Sequence, residues 1–114
     1  MLRVDMIINQ ESVVEMFGYW PKFCDARFTN FSYSASSDIR VNIFYIDADQ
    51  AKEANIEIVF SGVKEVQLND LLTENYIDEI TISQDLTHEV NIDSCSGLNG
   101  TFKCARIEVV NVST

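Results

Sequence analysis

Proline and glycine are scarce, one and four in 114 residues. A chain so poor in both is neither a flexible linker nor low-complexity, and its scattered glycines form no phosphate-cradling loop or dinucleotide fingerprint. Basic residues are also few. Eight Lys and Arg stand against 18 Asp and Glu, a formal charge of -10, which argues against direct contact with nucleic acid and for a cationic protein partner. His88 is the single histidine, so no second imidazole completes a histidine metal site. Cys24, Cys95 and Cys104 are an odd set without a Cys-x-x-Cys pair, which indicates neither a secreted disulfide framework nor a zinc site. They are expected as buried thiols, with Cys95 and Cys104 open to facing each other across a hairpin. No apolar run approaches the roughly 18 residues of a membrane helix. Met1-Leu2-Arg3-Val4-Asp5 lacks the basic flank and apolar core of a signal peptide, so a cytoplasmic, membrane-free protein is expected.

What is present is apolar and prone to β-structure. Hydrophobic residues make up 46% of the chain, enough for one core, and the length suits a single domain over residues 1–114. Asn9 is placed to cap a short helix over 10–17, with Glu11 meeting the helix dipole, Gly18 just past its end, and Val13, Val14 and Phe17 as its buried stripe. Beyond Pro21 the period becomes two. Cys24–Tyr33, Ile39–Ile46, Asn55–Phe60, Lys64–Leu68, Ile77–Ser83, Glu89–Ser94 and Thr101–Val112 read as about seven strands. The intervals between them are too short for crossover helices. The expected fold class is therefore α+β, a short N-terminal helix packed on a mainly antiparallel sheet, with a sandwich-like arrangement open. Ser61-Gly62 and Asn99-Gly100 are the clearest turn signals, the second for a tight hairpin before the last strand. Segment 69–75 suits a loop or one helical turn. Phe102 and Cys104 fall out of phase with Ile107 and Val109, which predicts a β-bulge near Ala105.

No catalytic constellation emerges. Asp85 and Glu89 flank His88 as proton acceptors, yet no cysteine or serine stands in a nucleophile-elbow or protease-like context. A small enzyme built on His88 is the reading that an unaffected His88→Ala variant would remove. Asp47-Ala48-Asp49 opens like a calcium loop, but Lys52 and Ile58 occupy the positions that need Gly and Glu, so it reads as an acidic turn. No metal, cofactor or catalytic residue is expected.

The acids are unevenly spread. Between Lys64 and Lys103 there is no Lys or Arg, while Glu65, Asp70, Glu74, Asp78, Glu79, Asp85, Glu89 and Asp93 all fall there. Alternation sends Ile80, Ile82, Val90 and Ile92 inward and Glu79, Glu89, Asn91 and Asp93 outward. If these two strands pair, they carry a negative face with no basic residue to neutralise it, at a cost from cross-strand repulsion. Glu79, Glu89, Asn91 and Asp93, with Asp78 and Asp85, are the candidate partner-binding residues. The bland alternative is that the acids serve solubility alone.

Four aromatics, with the single tryptophan and the single proline, crowd into Phe17-Gly18-Tyr19-Trp20-Pro21-Lys22-Phe23-Cys24-Asp25-Ala26. They suit a plug where the helix turns into the sheet, or an exposed anchor for a partner. With the late residues Phe102, Cys104, Glu108 and Val109, this segment resembles immunity protein family fifty of bacterial polymorphic toxin systems. Phe17, Gly18, Tyr19, Trp20, Pro21, Phe23 and Asp25 carry the family motif, as structural rather than catalytic residues. Lys22 and Cys24 stand where members often have Ser and His, so no catalytic role transfers. The resemblance implies a small α+β protein that binds and neutralises a cognate toxin domain. A basic nuclease is the toxin that the charge would suit. A non-catalytic interaction module, or a homodimer pairing through an edge strand, is the competing reading.

Overall fold

The computed structural model describes residues 7–84 and 87–114. Its elements in chain order are β1 (Ile7–Ile8), α1 (Glu11–Phe17), β2 (Arg27–Tyr33), β3 (Ile39–Asp47), β4 (Lys52–Ser61), β5 (Lys64–Asn69), β6 (Asn75–Gln84), β7 (His88–Ser96), β8 (Asn99–Cys104) and β9 (Arg106–Ser113). The nine strands described form one hydrogen-bonded sheet in the order β1-β9-β4-β3-β2-β6-β7-β8-β5. All neighbours are antiparallel except β1 and β9, so the mainly antiparallel α+β expectation holds.

Nine strands replace about seven for two reasons. The expected Thr101–Val112 strand is broken at Ala105, where the anticipated change of phase lets Phe102 and Cys104 on one side, and Ile107 and Val109 on the other, all reach the core. The second reason is β1, two residues that pair with Ile107 and Glu108. That break also bends the sheet. β4 runs on through Gly62-Val63 into β5, and β8 runs on through Ala105 into β9, with Ser61 opposite Arg106 and Lys64 opposite Lys103. Ala105 N–H donates to Ser61 O at 2.9 Å across the corner. Phe60 and Phe102 meet there edge to face, 5.0 Å between centroids. Ser61-Gly62 is thus a bend within a continuing ladder and not a chain reversal.

Asn99-Gly100 is likewise not the hairpin turn. It opens β8, opposite Asn69 and Leu68 of β5, and the reversal lies at Gly97-Leu98. Gly100 is used for close approach, since a Cβ there would sit 3.0 Å from Gln67 C and closer still to its oxygen. Asn9 does not cap α1. Its side chain donates to Val109 O at 3.4 Å, and Gln10 occupies the cap position without a side-chain hydrogen bond. Gly18 ends the helix in the left-handed conformation, φ 87°, as anticipated. Val13 and Phe17 are buried and Val14 only partly so. Residues 70–74 form a loop rather than a helical turn. β2 begins at Arg27 and not at Cys24, because Phe23 and Asp25 take φ values of 63° and 65° that no strand accommodates.

The thiols depart from expectation. Only Cys104 is buried; Cys24 and Cys95 are exposed. Cys104 lies opposite His88 at the start of β7, whereas Cys95 is near that strand's far end, so the two do not face each other.

Candidate partner-binding surface

β6 and β7 pair as the alternation required. Ile80, Val90 and Ile92 are buried and Ile82 packs against the core. On the outer face Glu79 lies opposite Asp93, Thr81 opposite Asn91 and Ser83 opposite Glu89. The candidates Glu79, Glu89, Asn91 and Asp93 thus share one side of the sheet. Asp78 is exposed at an irregularity between Ile77 and Glu79, and Asp85 lies outside the described residues.

The expectation that no basic residue neutralises this face is corrected. Lys22 Nζ lies 3.4 Å from Glu79 Oε2. Lys103 on β8 stands opposite Glu89, and its Nζ is 3.4 Å from Glu65 Oε1. Both cations come from outside the basic-free interval. Sheet pairing delivers Lys103, and the segment before β2 delivers Lys22 by running along β6: Ile80 N–H donates to Lys22 O, Asp25 N–H to Ile77 O, and Ile77 N–H to Ala26 O. Among the described residues Asp78, Glu89 and Asp93 enter no ion pair.

The motif residues occupy the seam between α1 and this sheet. Phe17 and Phe23 are each 1% exposed, Pro21 is buried and Trp20 is half-buried. Phe17 and Phe23 both meet the Tyr45 ring edge-on, at 5.2 and 5.6 Å, and Trp20 meets Phe23 at 5.8 Å. Asp25 is exposed. Tyr19 keeps 39% of its surface exposed while its hydroxyl is tied down. The hydroxyl lies 2.7 Å from Tyr45 Oη and donates to Asp47 Oδ2 at 2.7 Å, so with one proton per phenol Tyr45 is the donor to Tyr19. Gln50 Nε2 bridges Asp47 Oδ2 and Phe17 O, at 2.6 and 2.7 Å.

Asp47 is the residue that sequence reasoning passed over as an acidic turn. The signal was present. Ile39, Val41, Ile43 and Tyr45 are the inward positions of β3, and Asp47 continues the same phase, 8% exposed. An inward carboxylate requires donors, and Tyr19 and Gln50 supply them. Their hydrogen bonds hold its carboxyl below the usual range, Tyr19 contributing most. The Tyr19 phenol is displaced upward, chiefly by desolvation and then by its bonds to Tyr45 and Asp47, so it stays a neutral donor. An open depression of about 480 Å³ lies over these groups, lined also by Asp25, Ile46 and Asp49. Carboxylates beside an aromatic ring form the environment that ammonium and guanidinium groups seek.

Nucleophilic chemistry finds little support. Burial pushes the Cys104 thiol up to about 12, away from the reactive thiolate. His88 Nδ1 is buried without a hydrogen-bond partner among the described residues. No group of three or more His, Cys, Asp or Glu among those residues is arranged to hold a metal ion. No described helix is long and apolar enough to cross a membrane.

Comparison with known proteins gives a family. No curated protein and no solved structure matches the chain. The sequence model of immunity protein 50 matches residues 9–114, a span running from two residues before α1 through the aromatic segment, both acidic strands and β9. With nearly its whole length matched, the chain belongs to the immunity protein 50 family.

Proposed function

We propose that this protein binds and neutralises a cognate toxin domain without catalysis of its own, and that the partner is cationic. Family membership supports the immunity role. The observation that carries the choice of surface is the outer face of β6 and β7, where Glu89 and Asp93, with exposed Asp78 at the nearby irregularity, enter no ion pair among the described residues even after Lys22 and Lys103 have been drawn in. Asp25 hydrogen-bonds through its backbone to Ile77, beside Asp78. Asp25 also lines the Tyr19–Asp47 depression with Asp47 and Asp49, and these acids together with those of β6 and β7 make up the proposed anionic tract. Such a tract accelerates encounter with a basic protein, and a basic nuclease would meet it with the groups that otherwise hold phosphate. The motif residues Phe17, Gly18, Tyr19, Trp20, Pro21, Phe23 and Asp25 serve mainly to build the seam.

The test is association kinetics with the cognate toxin domain, identified as a C-terminal domain of a neighbouring gene's product that co-purifies with this chain. Glu89→Lys with Asp93→Lys should lower the association rate by roughly tenfold at low salt, with the difference shrinking as salt rises. Glu79 is left intact because reversing it would also repel Lys22. An unchanged rate at every salt concentration would place the contact elsewhere. A symmetric dimer that ignores the toxin would instead favour the structural-module reading.

A further inference from the structure

β2 has an open edge. On one side it pairs with β3 along its length, from Arg27 opposite Phe44 to Tyr33 opposite Ile39. On the other, β6 covers only Arg27 and Phe28, through Tyr76 and Asn75. From Thr29 onward no strand among those described pairs with this edge. Ser34 N–H donates to Asp38 O at the end of the β2–β3 hairpin. Antiparallel alternation therefore turns the amides of Ser32 and Asn30 toward β3 and those of Phe31 and Tyr33 toward the open side.

The gap is held open by the fold. If β6 extended backward, residues 70–74 would cover the edge, but Asn75 ties them elsewhere. Its Oδ1 accepts from Leu72 N–H at 3.0 Å and from Leu98 N–H at 2.8 Å, and its Nδ2 donates to Leu72 O at 2.9 Å. Asn75 is 5% exposed, so these bonds are protected from water. Leu72 is thus folded back onto Asn75, which is joined in turn to Leu98 in the β7–β8 turn, and the loop does not continue the β6 ladder along β2. Between loop and edge lies a depression of about 230 Å³ lined by Phe28, Phe31, Leu71 and Leu72 among others. Leu71 and Leu72 are 56% and 53% exposed, and Tyr33, at the far end of the edge, is 53% exposed.

We infer that this edge receives an extended, cationic segment of the toxin, which adds a strand beside β2 and places one aliphatic or aromatic side chain in the depression. The inference rests on the immunity reading and supplies the mode of contact. Strand addition needs an open rung and a pocket for alternate side chains, and both are here. The sign of the occupant follows from charge. Asp70 and Glu74 bracket the exposed leucines, and neither enters an ion pair among the described residues. A second copy would bring its own charge of -10 to the same edge, which disfavours self-pairing.

Hydrogen–deuterium exchange on the free protein and on its complex with the toxin domain that co-purifies with it provides the test. The amides of Phe31 and Tyr33 should slow markedly in the complex. Two variants address side chains and backbone separately. Leu71→Lys with Leu72→Lys should weaken binding by roughly tenfold or more, as expected for a central apolar anchor. Tyr33→Pro removes an outward N–H and leaves the β3 ladder its bonds. Since a proline variant can misfold, its thermal midpoint is compared with wild type, and the lysine pair decides if it does. Tight binding with unprotected Phe31 and Tyr33 and an unaffected lysine variant would overturn the strand-addition mode and leave the immunity role standing. Absence of any complex would overturn both. Protection that grows with protein concentration in the toxin-free sample would assign the edge to a second copy and overturn the inference.

Discussion

Asp47 shows how one residue holds the aromatic segment after α1 in place. Its carboxylate sits at an inward β3 position and takes hydrogen bonds from Tyr19 and Gln50, while Gln50 in turn holds Phe17 O at the end of α1. Helix, aromatic segment and β3–β4 turn thus meet on a single acid. A carboxyl held below its unfolded value contributes stability that is fully present above the unfolded pKa, about 4, and is lost as pH falls through the folded one. Tyr19 has the opposite sign. Its raised pKa contributes below about 10 and is lost as pH rises past it. Asp47→Asn should therefore be less stable than wild type at pH 7 and lose less on going from pH 5 to 3. Urea midpoints of both proteins across that range check it. Parallel pH profiles would mean that the carboxylate contributes nothing as an anion.

Among the elements, the β6 start depends most on a single side chain. Asn75→Ala removes three hydrogen bonds at a buried site and strands the N–H groups of Leu72 and Leu98, so it should cost roughly 2–3 kcal/mol by chemical denaturation. A loss under about 0.5 kcal/mol would mean that water replaces the amide. The same corner fixes Gly97, where φ is 101° and a Cβ would lie 2.9 Å from Asn75 Cα. Local signals made much of the rest legible. Gly18 marked the end of α1, and alternation assigned the faces of β6 and β7. Elements that depend on distant partners were not visible. β1 exists only because β9 is beside it, and Asn99-Gly100 extends a strand because it pairs with Asn69 and Leu68 of β5. The same blindness hid the cations: Lys22 and Lys103 reach the acidic face through tertiary pairing that no sequence interval reports.

At the scale of the whole molecule, charge repulsion competes with a few surface ion pairs. Among the described residues the pairs are Lys22–Glu79, Arg40–Glu57, Lys103–Glu65 and Arg106–Glu108, in each of which at least one side chain is more than a third exposed. Exposed pairs are worth about 0–1 kcal/mol each and weaken in salt. Against them stands a net charge of -10 on one small domain, whose self-repulsion is relieved by the same screening. Excess charge should win, because the pairs engage only a minority of the 18 acids. The thermal midpoint should rise by a few degrees between about 0.02 and 0.3 M sodium chloride, where the Debye length shrinks from roughly 20 to 6 Å. Chloride at these concentrations separates screening from the general stabilisation by excluded salts such as sulfate. A midpoint that falls would show that the ion pairs outweigh the repulsion. The proposed anionic tract would then be largely compensated in the folded protein, and a cationic partner would meet a weaker field than the formal charge suggests.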